Sequence, residues 1–134
     1  MNFGFIADHK IIDEKFAQIY YNNMTTSGIA NNLELFDENC KCTLNNEEFT
    51  GGYGILVRFA KSGINRFNYR QLSGNVQPIN DSNNNISGFI VSVMGVCQLI
   101  SFQNTLLKET NFSDTFYISN LKNQKIVNYI GKFM

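Results

Sequence analysis

Asp114 sits in Phe112-Ser113-Asp114-Thr115-Phe116, an alternating stretch that places its carboxyl on the same strand face as two phenylalanines. A carboxyl among apolar neighbours with a phenol in reach is equipped for general acid–base work, because burial moves its proton affinity toward neutrality. Tyr20, Tyr69 and Tyr117 are the candidate sources of that hydroxyl. The bland reading of Asp114 is a hydrogen-bonded strand residue. The single histidine, His9, lies far from Asp114 in sequence at a helix start, so a His–Asp dyad would need a chance meeting.

Cys40-x-Cys42 puts two thiols on one face of a strand, roughly 6.5 Å apart. A structural zinc ion takes four ligands, and only Cys97 and His9 remain, so no metal site is expected. Gly51-Gly52-Tyr53-Gly54 lacks the Lys-Ser/Thr of a phosphate-binding loop and reads as a tight entry to a helix. Lys122, Lys125 and Lys132 are too scattered for a nucleic-acid patch.

The elements that would position these residues follow from periodicity. Ile12, Phe16, Ile19, Tyr20 and Met24 recur at helical spacing, with Asp8 placed to cap and Asp13 and Glu14 in the early turns. Thr25 to Gly28 break this helix, Ile29 to Phe36 can form a short second one, and Asp37-Glu38-Asn39 turns the chain. Cys40, Cys42 and Leu44 alternate into the turn Asn45-Asn46, and Glu47 to Thr50 returns antiparallel. A third helix, Tyr53 to Lys61, carries Ile55, Leu56 and Phe59 inward and stops at Ser62-Gly63. Arg66 to Gln77, Gly88 to Ile100, Asn111 to Ser119 and Gln124 to Phe133 read as a meander of long strands, with Asn80 to Ser87 an exposed turn.

Composition limits what this scaffold does. The 134 residues fit one domain, 1–134, which should bury roughly two-thirds of the surface of its unfolded chain. Eleven basic residues balance eleven acidic ones, so no net field favours direct nucleic-acid binding. No apolar run reaches the roughly 18 residues of a membrane span, so no membrane insertion is expected. Three cysteines, an odd number, fit a reducing compartment, cytosol or nucleus. The strand Gly88 to Ile100 is apolar on both faces, with Phe89, Val91 and Val93 on one and Ile90, Met94 and Val96 on the other. It needs cover on both sides, which predicts a homodimer through the sheet, or a heterodimer.

The order of helices, hairpin, helix and long meander resembles the nuclear transport factor 2 family. Phe16-Ala17-Gln18-Ile19-Tyr20-Tyr21 looks like the aromatic-x-x-x-Tyr-Tyr of its opening helix, and Cys42 to Gly51 follows its strand, turn, strand and glycine. Val76-Gln77-Pro78 looks like its Cys-Gln-Pro segment, and Val91 to Gly95 and Phe112 to Phe116 resemble the two middle strands of its sheet. The resemblance covers nearly the whole chain. It implies an α+β fold in which N-terminal helices pack on a strongly curved, cystatin-like antiparallel sheet that dimerises.

The resemblance also implies a function: a nucleocytoplasmic transport adaptor that works at the nuclear pore, in cytoplasm and nucleus, and binds phenylalanine-glycine nucleoporin segments without a cofactor. The peptide-binding residues it implies are Phe3, Phe5 and His9 ahead of the first helix, and Phe16 and Phe36 where stress-granule relatives place a groove between the first two helices. The cargo partner would be Ran-GDP or a large mRNA export receptor. The Ran-GDP carrier presents a Trp-Glu on the hairpin turn, where this chain has Leu44-Asn45. It presents aspartates in the loop that here reads Ser101-Phe102-Gln103-Asn104-Thr105, with no carboxylate before Glu109. Loss of one partner of a buried interfacial ion pair costs about 2 to 5 kcal/mol. The closing Asn-Asp-x-Phe is also altered, to Asn128-Tyr129-Ile130-Gly131. These departures resemble the small subunits that pair with export receptors. Two alternatives remain: a phenylalanine-motif peptide scaffold of the stress-granule kind, and a cavity enzyme like the isomerases and dehydratases of distant relatives, with Asp114 as its base.

Overall fold

The computed structural model describes residues 4–6 and 10–134, with side chains from Lys15 onward. The expected cap Asp8 and the candidate residues Phe3 and His9 lie outside the described residues, as does the side chain of Phe5. Helix α1 spans Lys10–Thr26 and buries Ala17, Tyr20, Tyr21 and Met24, the i, i+3, i+4, i+7 stripe of a helix lying on a core. Ile19, expected on that stripe, is 43% exposed, and Tyr21 takes the inward position. The helix ends where Thr25, Thr26 and Ser27 turn their hydroxyls back to donate to the carbonyls of Tyr21, Asn22 and Asn23. Gly28 then turns the chain at φ +71, with the Asn65 carbonyl so close that a Cβ would sit 2.1 Å from it.

The expected second helix is a 3-10 helix, Gly28–Leu35. Its buried Asn32 donates to the Tyr20 carbonyl at 2.9 Å and accepts from Asn23, which fastens it to α1. Strand β2 follows as Phe36–Leu44. Asp37-Glu38-Asn39 does not turn the chain as expected. These residues form a bulge inside the strand, since Phe36 pairs with Ile126 and Lys41 with Asn128, five residues against two. Asp37 accepts from the Asn39 amide, so the turn-forming side chains serve the bulge. Asn45 and Asn46, at φ 48 and 71, make the tight hairpin turn to β3, Glu47–Thr50. Helix α2 occupies Tyr53–Lys61 with Ile55 and Phe59 buried, and Gly63 at φ +75 ends it.

The long strands are β4 Ile64–Asn80, β5 Ile86–Ser101, β6 Leu106–Ser119 and β7 Lys125–Phe133. With β1, Gly4–Ile6, they form one sheet in the order β1-β4-β5-β6-β7-β2-β3. The meander from β4 to β7 is antiparallel as expected. The sheet closes with two parallel pairs, β2 on β7 and β1 on β4, which adjacent-strand reasoning does not supply. The fold is α+β, a mostly antiparallel sheet curled around its helices. Phe89, Val91 and Val93 of β5 face that interior. Ile90, Met94 and Val96 alternate to the other face, where Met94 is 59% exposed.

Candidate functional site

The interior of the cone is built from rings around one carboxyl. Tyr20 meets Phe116 edge-on at 4.8 Å, Tyr21 meets Tyr69 at 5.0 Å, and Phe16 stacks on Tyr20 and meets Phe116 at 5.3 Å. Asp114 lies among them, 3% exposed. Tyr21 donates its hydroxyl to one carboxyl oxygen at 2.7 Å, and Tyr129 donates to the other at 2.6 Å. Burial raises Asp114 from its ordinary 3.8 to about 6, and the hydrogen bonds from Tyr129 and Tyr21 hold it from going further. Burial also pushes the phenols of Tyr20, Tyr21, Tyr69 and Tyr129 well up, and the Asp114 charge adds to that.

Of the three hydroxyls anticipated for Asp114, none is its partner. Tyr117 follows Phe116 directly, so strand alternation turns it to the opposite face. Tyr20 and Tyr69 stand in the same aromatic shell. The actual partners were legible in part: Tyr21 completes the helical stripe begun at Ala17, and Tyr129 pairs with Phe116 in register, two residues before the glycine opposite Asp114.

At the mouth of the cone, the hairpin, the end of α2 and the ends of β5, β6 and β7 surround a hollow of about 410 Å³. Leu44, Phe59, Leu99 and Phe133 supply its apolar lining, and Arg58, Lys61 and Lys108 bring positive charge. Glu47 also lines it and is paired with Arg58 at 2.7 Å. Asn45 stands at this mouth where the Ran-GDP carrier, by resemblance, has an acid.

The remaining candidates divide by burial. Phe36 is 5% exposed, packed on Tyr20 and edge-on to Tyr129, with its ring against Gly52. Phe16 is half-buried on α1, and the Tyr20 ring lies within stacking reach of both, at 6.0 Å from Phe16 and 6.5 Å from Phe36. Phe5 pairs through its backbone with Gly74 of β4.

The face of the sheet turned away from the helices is apolar at its middle. Met94, Ile90 and Val96 of β5 share it with Tyr117 of β6 and Ile130 of β7, set among Ser92, Ser113 and Thr115. Ile130 is 46% exposed.

No protein-family model matches the chain, and no curated protein matches it in sequence. Solved structures do match. Nuclear transport factor 2 from Cryptosporidium parvum superposes with a TM-score of 0.67 at 21% identity, covering 98% of this chain and 100% of that one. The chain has the nuclear transport factor 2-like fold. Mtr2 of Candida albicans, solved in complex with the Mex67 M domain, matches with a TM-score of 0.68 at 8% identity over 91% of this chain and 92% of that one. A structure of a Sac3N peptide bound to Mex67:Mtr2 matches with a TM-score of 0.64 at 11% identity, over 96% and 100%. Within the nuclear transport factor 2-like fold, then, this chain fills the cone with rings around Asp114. It leaves a cation-bearing mouth and a bare outer sheet face.

Proposed function

We propose that this chain is a nucleocytoplasmic transport adaptor, the small partner of an mRNA export receptor. The observation that carries the reading is the outer sheet face, where Met94 and Ile130 stand exposed at the centre of long, regular strands. Apolar residues clustered on a sheet face are covered when a second domain packs there, and Mtr2, with the same fold, is solved with the Mex67 M domain. A homodimer through the same face is the alternative arrangement.

The mouth argues against Ran-GDP as cargo. The resemblance assigns Ran's basic groups to acids at the mouth, and here Arg58, Lys61 and Lys108 line it, with Glu47 already paired. Phenylalanine-glycine segments dock along α1, where half-buried Phe16 and exposed Ile19 lie one turn apart, with Phe3, Phe5 and His9 preceding them in the chain. Phe36 belongs to the core in this account. Asp114 is a structural carboxyl, because both of its oxygens already accept hydrogen bonds in a closed aromatic shell.

The test is a pull-down with purified components: an export-receptor partner domain, Ran-GDP and a phenylalanine-glycine nucleoporin fragment, each offered to the tagged chain. Capture of the receptor domain and the fragment without Ran-GDP is the expected pattern. Capture of Ran-GDP alone would replace the export reading with the import one, and small-molecule turnover would move the function to Asp114.

A further inference from the structure

The connection from β5 to β6 is a fixed turn that carries an unburied ring. The Ser101 amide donates to the Thr105 carbonyl at 2.9 Å, and the Asn104 amide donates to the Ser101 carbonyl at 3.0 Å. The Ser101 hydroxyl oxygen accepts from the amides of Gln103 and Thr105. Asn104 takes the left-handed conformation, φ 63, and its side chain accepts from Arg66 of β4. None of these bonds uses the side chain of Phe102, which is 57% exposed at the tip. Leu106 and Leu107, just beyond the turn, are 57% and 48% exposed. Exposed apolar residues are ordinary when scattered, but three together on a turn held by its own hydrogen bonds mark a contact surface.

The same hairpin walls the mouth of the cone. Leu99 before the turn and Lys108 after it line the hollow of about 410 Å³, together with Phe59 and Phe133. Its volume falls among ligand sites, about 300 to 1,000 Å³, yet the hollow is half-open, so it suits side chains entering from outside better than an enclosed small molecule.

The cations at this end are held differently. Arg58 donates to Glu47 and to the Gly54 carbonyl and lies over the Phe49 ring, so its charge is already matched. Among the described residues the ion pairs are Arg58–Glu47 and Arg70–Glu109, so Lys61, Arg66 and Lys108 meet no side-chain carboxylate. Lys61 and Lys108 both line the hollow and both are exposed.

That combination selects the occupant. A purely apolar surface closing over the hollow would strip water from Lys61 and Lys108 with nothing to pair them, and a basic one would repel them. A flat lipid surface would cover Phe102, Leu106 and Leu107 but leave the hollow unfilled. We propose that this end of the cone binds an acidic, apolar segment of another protein. A phenylalanine or leucine of the segment enters the hollow beside Phe59 and Leu99, its flanking carboxylates pair with Lys61 and Lys108, and Phe102 packs against it from the turn. The fixed turn lowers the ordering cost of that contact. This end is separate from the outer sheet face proposed for the export receptor, so either can fail without the other.

An amide NMR titration of the folded chain tests this, with a synthetic peptide of one phenylalanine and one leucine between two pairs of glutamates. The comparison probes are the same peptide with lysines for the glutamates, the same peptide with serines for the two apolar residues, and vesicles of phosphatidylcholine with phosphatidylglycerol. The expected result is a set of shifts grouped at Leu99, Phe102, Leu106, Lys108 and Phe133 for the acidic apolar peptide, weakened by added salt. Lys61→Glu combined with Lys108→Glu should lower the affinity at least about tenfold, and so should Phe102→Ser. These side chains are exposed, so the spectra of the variants without peptide should remain native away from the changed residues. No grouped shifts at millimolar peptide, equal binding of the lysine or serine peptide, or full affinity in the charge-reversed variant would each overturn the proposal. Binding of the vesicles in preference to the peptide would also overturn it and make this end a membrane-contact surface. The wild-type titrations decide it even if a variant fails to fold.

Discussion

Gly131 stands opposite Asp114 across the β6–β7 ladder, and the Tyr129 hydroxyl fills the space a side chain there would need. The phenol folds over its own strand neighbour to reach the carboxyl at 2.6 Å. A glycine, a tyrosine two residues earlier and an aspartate on the next strand therefore act as one unit. That unit joins β7 to β6, and through Tyr21 it joins both to α1.

Gly131→Ala breaks that unit. The new Cβ falls 2.0 Å from the Tyr129 hydroxyl, so the ring must leave and one buried carboxyl oxygen loses its donor. The expected cost is about 2 to 3 kcal/mol, from overpacking and the unpaired acceptor. Urea unfolding followed by circular dichroism reads it, and a change under about 0.5 kcal/mol would show that the ring has other room.

Asp114 makes stability depend on pH in a defined direction. Its folded pKa, about 6, lies above the unfolded value, so the folded state holds the proton more tightly. Its contribution is therefore complete below about pH 4 and lost as pH rises through about 6, a difference on the order of 2 to 3 kcal/mol. Asp114→Asn should flatten the stability curve between those limits; an equally steep curve in the variant would assign the dependence elsewhere.

Tyr129→Phe removes a hydrogen bond that holds Asp114 down, so the carboxyl should titrate above about 6 while stability falls by about 1 to 3 kcal/mol. Tyr117→Phe, on the other face of β6, should leave the titration unchanged. Carboxyl chemical shifts followed against pH separate the two variants, and a matched shift in both would remove Tyr129 from the role.

Phe36→Ala separates core from groove. The ring is buried against Tyr20 and Tyr129, so truncation should cost about 3 to 5 kcal/mol. Phe16→Ala together with Ile19→Ala should cost less and weaken capture of a phenylalanine-glycine fragment. Thermal melts beside fragment binding distinguish these outcomes; a stable Phe36→Ala chain that has lost only binding would return Phe36 to the groove.

Much of this architecture was readable from local pattern. The Asn45-Asn46 turn, the helix from Tyr53 to Lys61 and the four long strands follow from turn chemistry and periodicity. What was not readable depends on distant pairing. Asp37-Glu38-Asn39 has turn-forming side chains, and only the register against β7 shows that they fill a bulge. The parallel pairing of β2 with β7 joins segments far apart in sequence, which no local signal encodes. At the site, alternation placed Asp114 inward beside Phe112 and Phe116, and the same rule turns Tyr117 away. Its true partners come from a helix and another strand, and only the folded chain brings them together.

The central claim rests on the outer sheet face, and Ile130→Glu tests it without touching the core. Ile130 lies 46% exposed between Thr115 and Thr43, so the variant should melt within about 0.5 kcal/mol of the native chain. Sedimentation velocity of the purified chain mixed with the partner domain of an mRNA export receptor from the same proteome is the decisive measurement. The account predicts a one-to-one complex for the native chain that disappears in Ile130→Glu. A native chain that sediments as a monomer beside the free receptor domain, or a complex that survives the glutamate unchanged, would contradict it.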